Sequence, residues 1–417
     1  MQNAVPSVIE DRKANTVMVI STTAFTLMFA VWLMFGVLGI PIRKEMGLDD
    51  TQLAWLSAVA ILNGAIWRLG FGILADRLGG RLVMTMMLLV TAIPTFLVSQ
   101  AHSYLQLLIY AFLAGIAGNS FSVGASWNSA WFPKSRQGLA LGVFGAGNVG
   151  ASLTKLFEPA LIAIVPASSA LIPGGWRFVP FLYSILLVVM AAVTWFGTPR
   201  QDKRPGQGRS LRAMLEPLKN VRVWRFSLYY VVVFGAYVAL VAWLPKYYVD
   251  NFKLELHDAA LLSTLFIFPA SLLRPVGGAL ADKYGARQLM YLTFVVMMAA
   301  TLPLGLLSSN TLGLIGFTAL LIVVGVAMGI GKASVFKYIP EYFPQDVGAV
   351  GGLVGALGAL GGFFLPPLFA YTKAWTGAPQ SVFFILFLLT LVSMAWLHTT
   401  VVTIRRVRTN TALLENQ

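Results

Sequence analysis

The sequence predicts an all-α membrane protein of twelve transmembrane helices arranged as two pseudo-symmetric six-helix halves. Three observations carry that expectation. The 417 residues are 58% hydrophobic and only 11% charged, where a soluble domain carries about 25% charged residues. Apolar runs of roughly 20 residues, enough to cross a hydrocarbon core of about 30 Å, recur along nearly the whole chain and leave no room for a separate soluble domain. One unusual segment also occurs twice. SAVAILNGAIWRLGFGILADRLGGR at 57–81 returns 206 positions later as STLFIFPASLLRPVGGALADKYGAR at 263–287. Arg68, Gly72, Ala75, Asp76, Gly79 and Arg81 of the first fall at the offsets of Arg274, Gly278, Ala281, Asp282, Gly285 and Arg287 of the second.

Hydropathy places six spans at 17–40, 51–75, 82–100, 104–128, 137–165 and 177–197, and six more at 223–248, 257–281, 288–307, 311–339, 346–372 and 380–404. The polar start is followed by an apolar run too long for a signal-peptide core, so the first span is read as retained. The longest polar interval, TPRQDKRPGQGRSLRAMLEPLKNVR, is rich in Arg, Lys, Pro and Gly. It divides the chain into an N-terminal half at 1–197, a cytoplasmic linker at 198–222 and a C-terminal half at 223–417. Arg12 and Lys13, Arg77 and Arg81, Lys134 and Arg136, Lys283 and Arg287, and Arg405, Arg406 and Arg408 all fall on one side of this topology. The positive-inside rule makes that side cytoplasmic, with both termini. It also accounts for the formal net charge of +14 without a nucleic-acid partner. With no cysteine and three scattered histidines, His102, His257 and His398, no metal centre or cofactor is expected,.

The repeat reaches beyond the second and eighth spans. Phe132-Pro133 returns as Phe343-Pro344, and Gly138, Gly142 and Gly145 return as Gly348, Gly352 and Gly355 with a one-residue slip. Two homologous halves with a binding site between them near the bilayer midplane are the layout of a secondary transporter, whereas no nucleophile-base pair points to an enzyme. Arg68 and Arg274 lie eight residues before Asp76 and Asp282, or about 12 Å along a helix. A charge at such depth costs at least about 2.5 to 3.5 kcal/mol and faces a partner or a cavity. Glu158 is the clearest intramembrane carboxylate, and one acid cannot neutralise two arginines. The two guanidinium groups are therefore expected to converge on an anion, and their planar fork of donors suits a planar oxyanion.

The loops DRLGGR and DKYGAR, beginning at Asp76 and Asp282, resemble the GxLaDrxGrr signature of the major facilitator superfamily. The resemblance implies that Asp76, Arg81, Asp282 and Arg287 make gating contacts at the cytoplasmic helix ends. AGIAGNSFSVGASWNSAWFPKSRQGLALGVFGAGNVGAS at 114–152 and GVAMGIGKASVFKYIPEYFPQDVGAVGGLVGALGALGGFFLPP at 325–367 are rich in small residues that let helix backbones approach closely,. They also carry Asn119, Asn128 and Asn148, whose amides can donate to an anion. The AGxAGxxF, FPKxxQGxALG and GxGNxG elements resemble the nitrate signature of the nitrate/nitrite porter (NarK-like) family, and the second stretch resembles its other signature.

This resemblance implies a twelve-helix major facilitator fold in a bacterial cytoplasmic (inner) membrane, transporting nitrate, with nitrite as the related ion. It carries the paired substrate arginines to Arg68 and Arg274, the signature asparagine to Asn148 and the seventh-span tyrosine to Tyr230. Phe29, Phe121 and Phe234 would sandwich the planar ion, and Asn119 joins them as a donor. FGAGNVG is one residue shorter than the exchanger-like form, and Lys332 and Lys337 stand where exchangers carry neutral polar residues. Together with Lys155 and Glu158, these departures lean toward a nitrate/proton symporter in which the four ionisable groups are proton-coupling candidates. The alternatives are that the lysines only add positive potential, that Lys155 and Glu158 pair as structural glue, that the chain exchanges nitrate for nitrite, or that it carries another small organic anion. A monomer in the lipid bilayer is expected.

Overall fold

The computed structural model describes residues 8–415 apart from 170, 205–209, 211, 213–215 and 344–346. The chain is a bundle of helices, and every predicted span is helical. Span 1 runs through Val8–Leu33 and Phe35–Met46, and span 2 through Asp50–Ile66 and Arg68–Leu78. Spans 3, 4 and 6 are Gly80–Ser99, Tyr104–Trp131 and Gly175–Gly197, and span 7 is Val221–Phe252. Span 5 consists of three pieces, Lys134–Gly145, Ala146–Val149 and Gly150–Ile164. Span 8 comprises Leu256–Leu272 and Arg274–Tyr284, and spans 9 to 12 are Ala286–Leu306, Ser309–Tyr342, Val347–Thr376 and Ser381–Glu415. Among the described residues ten helices are long and apolar enough to cross a membrane, or 11 when the bent pair of span 2 is taken as one. Span 5 is the remaining one. Nine of the 25 residues of the expected linker at 198–222 lie outside the described residues.

Span 2 packs along span 11, span 5 along span 8 and span 1 along span 7, which joins the first six helices to the last six. Span 3 packs on span 6, and span 9 on spans 10 and 12. Burial follows this order. In span 7, 89% of the apolar window is inside the protein, but only 33% in span 12. Exposed Leu, Val and Phe on the outer helices therefore face lipid, while buried Arg68, Lys155, Glu158 and Arg274 lie on spans 2, 5 and 8, which pack across the two six-helix sets.

The helices break where the repeat places its arginines. Trp67 (φ −92°, ψ 0°) and Leu273 (φ −83°, ψ 3°) end the first pieces of spans 2 and 8, and Arg68 and Arg274 open the second pieces. In span 8 Pro275 explains the break, since it brings no N–H and crowds the carbonyl four residues back. Span 2 has no proline there. Instead the Gly64 carbonyl, one turn earlier, accepts Arg68 Nε at 2.9 Å. The pieces of span 2 meet at 40°. Span 4 is interrupted by a 3₁₀ turn at Gly115–Asn119, span 5 by another at Ala146–Val149, and span 7 by a π turn at Val231–Gly235. Within a bilayer such irregular backbone is tolerated only where protein or a cavity covers it, and π turns cluster at functional sites.

Candidate functional site

The two repeat arginines meet across a single ring. Arg68 is fully buried and Arg274 is 5% exposed. Their Cζ atoms lie 5.6 Å and 5.3 Å from the centroid of Phe121. Arg68 is also 5.3 Å from the Trp32 ring and 5.2 Å from Phe234, while Arg274 is 6.0 Å from Phe336. Backbone carbonyls complete the set. Arg68 Nη1 donates to Gly355 O at 3.4 Å and Arg274 Nη1 to Gly145 O at 3.5 Å, both long contacts between the two six-helix sets. Gly145 must be small, because a Cβ there would stand 3.0 Å from Arg274 Cζ. No carboxylate pairs with either guanidinium among the ion pairs of the described residues. Ring faces offset charge by about 0.5 to 2 kcal/mol each, less than a buried guanidinium loses on leaving water.

Unpartnered polar atoms lie on the helices that form this site. Arg68 Nη2, both amide atoms of Asn148 and the Tyr230 hydroxyl are buried with no hydrogen-bond partner. Asn148 sits in the 3₁₀ turn of span 5, and Tyr230 immediately precedes the π turn of span 7. The Tyr230 ring stacks on Phe234 at 4.8 Å and meets Phe336 edge-on at 5.0 Å, so packing fixes where its hydroxyl points. Unsatisfied buried polar atoms are few in folded proteins and each calls for a partner. Here one belongs to Arg68 itself, and Asn148 follows by three residues Gly145, whose carbonyl Arg274 reaches.

The other expected residues divide. Phe121 and Phe234 do face the guanidinium groups, but Phe29 packs on Phe25 and Trp32, and among the described residues neither arginine lies over its ring. Trp32 and Phe336 stand in the ring cage instead. Asn119 spends its Nδ2 on Asn63 O (3.0 Å) and Ile116 O (3.1 Å), and Asn128 donates to Ser21 Oγ and Gly124 O at 2.8 Å each. These two amides fasten helices and have no N–H to offer an anion in this arrangement.

Lys332 is buried, donates to Ala270 O at 2.9 Å and lies 3.1 Å from the centroid of Tyr237, whose hydroxyl pairs with Ser271. It also stands 5.8 Å from Phe234, the ring that Arg68 faces. Three buried cations are thus linked through Phe234 and Phe121. Lys337 is half-buried and engaged by a neighbour. Lys155 and Glu158 are both fully buried, yet no ion pair joins them among the described residues. Lys155 Nζ donates to Leu33 O at 3.2 Å, while Glu158 Oε1 accepts from Thr154, which also contacts the Tyr183 hydroxyl. Glu158 Oε2 has no partner.

At the helix ends that share a side with the termini, Arg81 clamps onto span 6. Its guanidinium donates to Trp195 O at 2.6 Å and 3.1 Å and to Arg200 O at 3.2 Å, and it covers the Trp195 ring at 4.1 Å. Its backbone N–H bonds Asp202, which also accepts from Trp127 at 3.0 Å and Trp131 at 2.8 Å. All of these contacts stay within spans 2 to 6 and the segment that follows. Asp76 is half-buried and engaged, Arg287 is exposed, and the side chain of Asp282 lies outside the described residues. At the opposite ends the two helix sets are bridged by charge. Asp50 of span 2 accepts Lys246 of span 7 at 3.0 Å, Lys373 of span 11 at 2.8 Å and Arg43 of span 1 at 3.1 Å. Asp250 engages Lys246, Lys373 (3.7 Å) and Arg43 (3.8 Å). These five residues sit in the short loops and helix ends that hydropathy alone reads as mixed in charge.

The major facilitator superfamily model matches residues 20–256 and 248–413, nearly the whole chain. The chain belongs to this superfamily, in its NarK-like porter family. A probable nitrate/nitrite antiporter, NarK1 of Thermus thermophilus, is 66% identical over 95% of this chain and 94% of its own. The probable nitrate transporter NarT of Staphylococcus epidermidis is 32% identical over 90% of this porter and 93% of that protein. A nitrite extrusion protein of Bacillus subtilis is 33% identical over 84% and 85%. Among solved structures, a bacterial homolog of the human lysosomal transporter Spinster, in an inward-facing and occupied conformation, superposes with a TM-score of 0.74. The match covers 93% of this chain and 96% of that one at 15% identity. The porter therefore has the major facilitator fold, as its repeated loops and twelve spans indicate.

Proposed function

We propose that this porter exchanges nitrate for nitrite across the cytoplasmic membrane, binding either ion between Arg68 and Arg274 and exposing it alternately to the two sides. The observation that carries the reading is the uncompensated charge. Two buried guanidinium groups face one Phe121 ring, Arg68 Nη2 and polar atoms of Asn148 and Tyr230 are buried without partners, and Lys332 shares the Phe234 ring with Arg68. A small planar oxyanion offsets part of this charge, accepts the unused N–H and O–H donors and lies flat against Phe121 and Phe234. The names of the similar NarK1 and NarT proteins support nitrate and nitrite as that ion.

The same electrostatics favour exchange over symport. Alternation requires the halves at 1–197 and 223–417, joined by 198–222, to rock about the site, with both termini in the cytoplasm. Without an anion, bringing Arg68 and Arg274 together opposes like charges in a low-dielectric setting. Among the described residues no carboxylate pairs with them to take the anion's place on an empty return, so the loaded forms are the ones that switch. Nitrate for nitrite is then an electroneutral one-for-one exchange. A second reading, nitrate/proton symport, draws on the buried Lys155 and Glu158, with the unpartnered Glu158 Oε2 as a proton site. Proteoliposome uptake of labelled nitrate separates the two. Internal nitrite should accelerate uptake and an uncoupler should leave it unchanged. Collapse under an uncoupler with no response to internal nitrite would overturn exchange in favour of symport.

A further inference from the structure

A second set of unpaired polar groups lies away from the porter's centre, at the ends of spans 7, 9 and 10 on the side of the termini. Arg225 is 9% exposed, and its Nε has no hydrogen-bond partner. No carboxylate pairs with it among the described residues. Tyr229, one turn further along the same face of span 7, is fully buried with an unpartnered hydroxyl. Tyr338 of span 10 is 4% exposed, and its hydroxyl is likewise unpartnered. The three are held together by Phe226, whose ring stacks on Tyr338 at 4.9 Å and carries the Arg225 guanidinium at 5.5 Å. Arg225 acts electrostatically on both hydroxyls, and Arg287 of span 9 on that of Tyr338. Arg222, one turn before Phe226, is exposed.

We infer that this cluster is a binding site for a phosphate group. Three features separate it from the central site. Its residues come from the last six helices alone, whereas the central site draws on both sets of six. Its arginines, one buried and two exposed, suit an anion of higher charge density than nitrate. Its position at helix ends is that of a membrane-water boundary, where basic pockets between helices accept phosphate head groups. The phosphate would take the Arg225 Nε and the two hydroxyls on separate oxygens, with Arg222 and Arg287 facing the outer ones. An anionic phospholipid and free inorganic phosphate both present this group.

The test is thermal unfolding of the intact, purified porter in detergent, since a ligand that binds only the folded state raises Tm with concentration. Inorganic phosphate, phosphatidylglycerol micelles, phosphatidylcholine micelles and nitrate form the four arms. A rise with phosphatidylglycerol but not phosphatidylcholine assigns the head group of an anionic lipid, and a rise with phosphate alone assigns the free ion. In either case the rise is lost in Arg225→Gln while nitrate stabilisation persists. Tyr229→Phe and Tyr338→Phe keep the ring packing and guard against a misfolded Arg225 variant. They should weaken the phosphate-dependent rise. If instead they raise Tm with no added ligand and no phosphate-dependent rise exists in the parent, the hydroxyls are simply unsatisfied and the site is wrong. A rise with nitrate that Arg225→Gln removes would also overturn it, by making the cluster a station of the transported ion.

Discussion

Charge is handled in two opposite ways along the axis of this porter. At the ends away from the termini, Asp50 and Asp250 hold Arg43, Lys246 and Lys373 in one network that spans both helix sets. In the middle, Arg68, Arg274 and Lys332 have ring faces and carbonyl oxygens but, among the described residues, no carboxylate in an ion pair. The difference teaches what each set is for. A paired network is complete in the folded chain, so it favours the arrangement in which it forms and must break for that end to open. An unpaired set is incomplete until something arrives, and its energy depends on cargo.

The sharpest way to break this comparison is to alter the unpaired set without altering its charge. Arg68→Lys and Arg274→Lys keep the cations but lose the planar fork. Each charge-assisted bond is worth about 1.5 to 3 kcal/mol, so nitrate transport in proteoliposomes should fall roughly ten- to hundredfold in either variant. Full activity in both would show that bulk positive potential, not the two-arginine geometry, selects the anion. Arg68→Lys should be the worse of the two, because Arg68 also bonds Gly64 O and faces three rings, whereas Arg274 has a single long bond and two rings.

A smaller effect is expected from the neutral donors. Asn148→Ala and Tyr230→Phe each remove one bond to the anion, about 1.4 kcal/mol or roughly tenfold in nitrate affinity, read as a raised KM for uptake. Asn119→Ala is the contrast. Its donors already serve Asn63 O and Ile116 O, so it should reduce folded yield while leaving the KM of the surviving protein near its parent value. Equal KM shifts at Asn119 and Asn148 would mean that the empty arrangement is a poor guide to the loaded one.

How much of this was legible in the sequence follows from what a linear pattern can encode. The twelve spans and the duplicated arginines are readable because hydropathy and offset are properties of the string. Asn148 is readable as an amide beside a span and as a family signature residue, Tyr230 only through the resemblance, and the structure finds the polar side-chain atoms of both without partners. The ring cage was only half readable. Phe29 and Trp32 lie within one turn of each other in the same helix, and nothing local says which of them turns toward Arg68. The break before Arg274 has Pro275 as its signal, but those at Trp67 and Ala146–Val149 have no proline and emerge only from packing. The ion network was invisible because Arg43, Asp50, Lys246, Asp250 and Lys373 come from four helices that only tertiary structure brings together. The reading of Lys155 with Glu158 as an i, i+3 pair failed for a similar reason. The Leu33 carbonyl of span 1, distant in sequence, takes the ammonium.

The network itself gives the smallest effect and the most specific one. Asp50 joins three cations from three helices, so Asp50→Asn should loosen the closed end far more than loss of any one cation. Its side chain is 26% exposed, and solvent screening limits the change to about 1 kcal/mol, roughly fivefold in the open-to-closed ratio. The chain contains no cysteine, which makes a single introduced thiol a clean reporter. Ser57 is 7% exposed and lines a small pocket with Phe35 and Lys246 beneath the network. In a Ser57→Cys background, Asp50→Asn should raise labelling by a membrane-impermeant thiol reagent from the far side, and nitrate should modulate the rate in the parent. Lys373→Met should raise it less, since Arg43 and Lys246 still hold Asp50. Labelling that ignores Asp50→Asn would mean the network only decorates an end closed by apolar packing, and the contrast between paired and unpaired charge would lose its mechanical half.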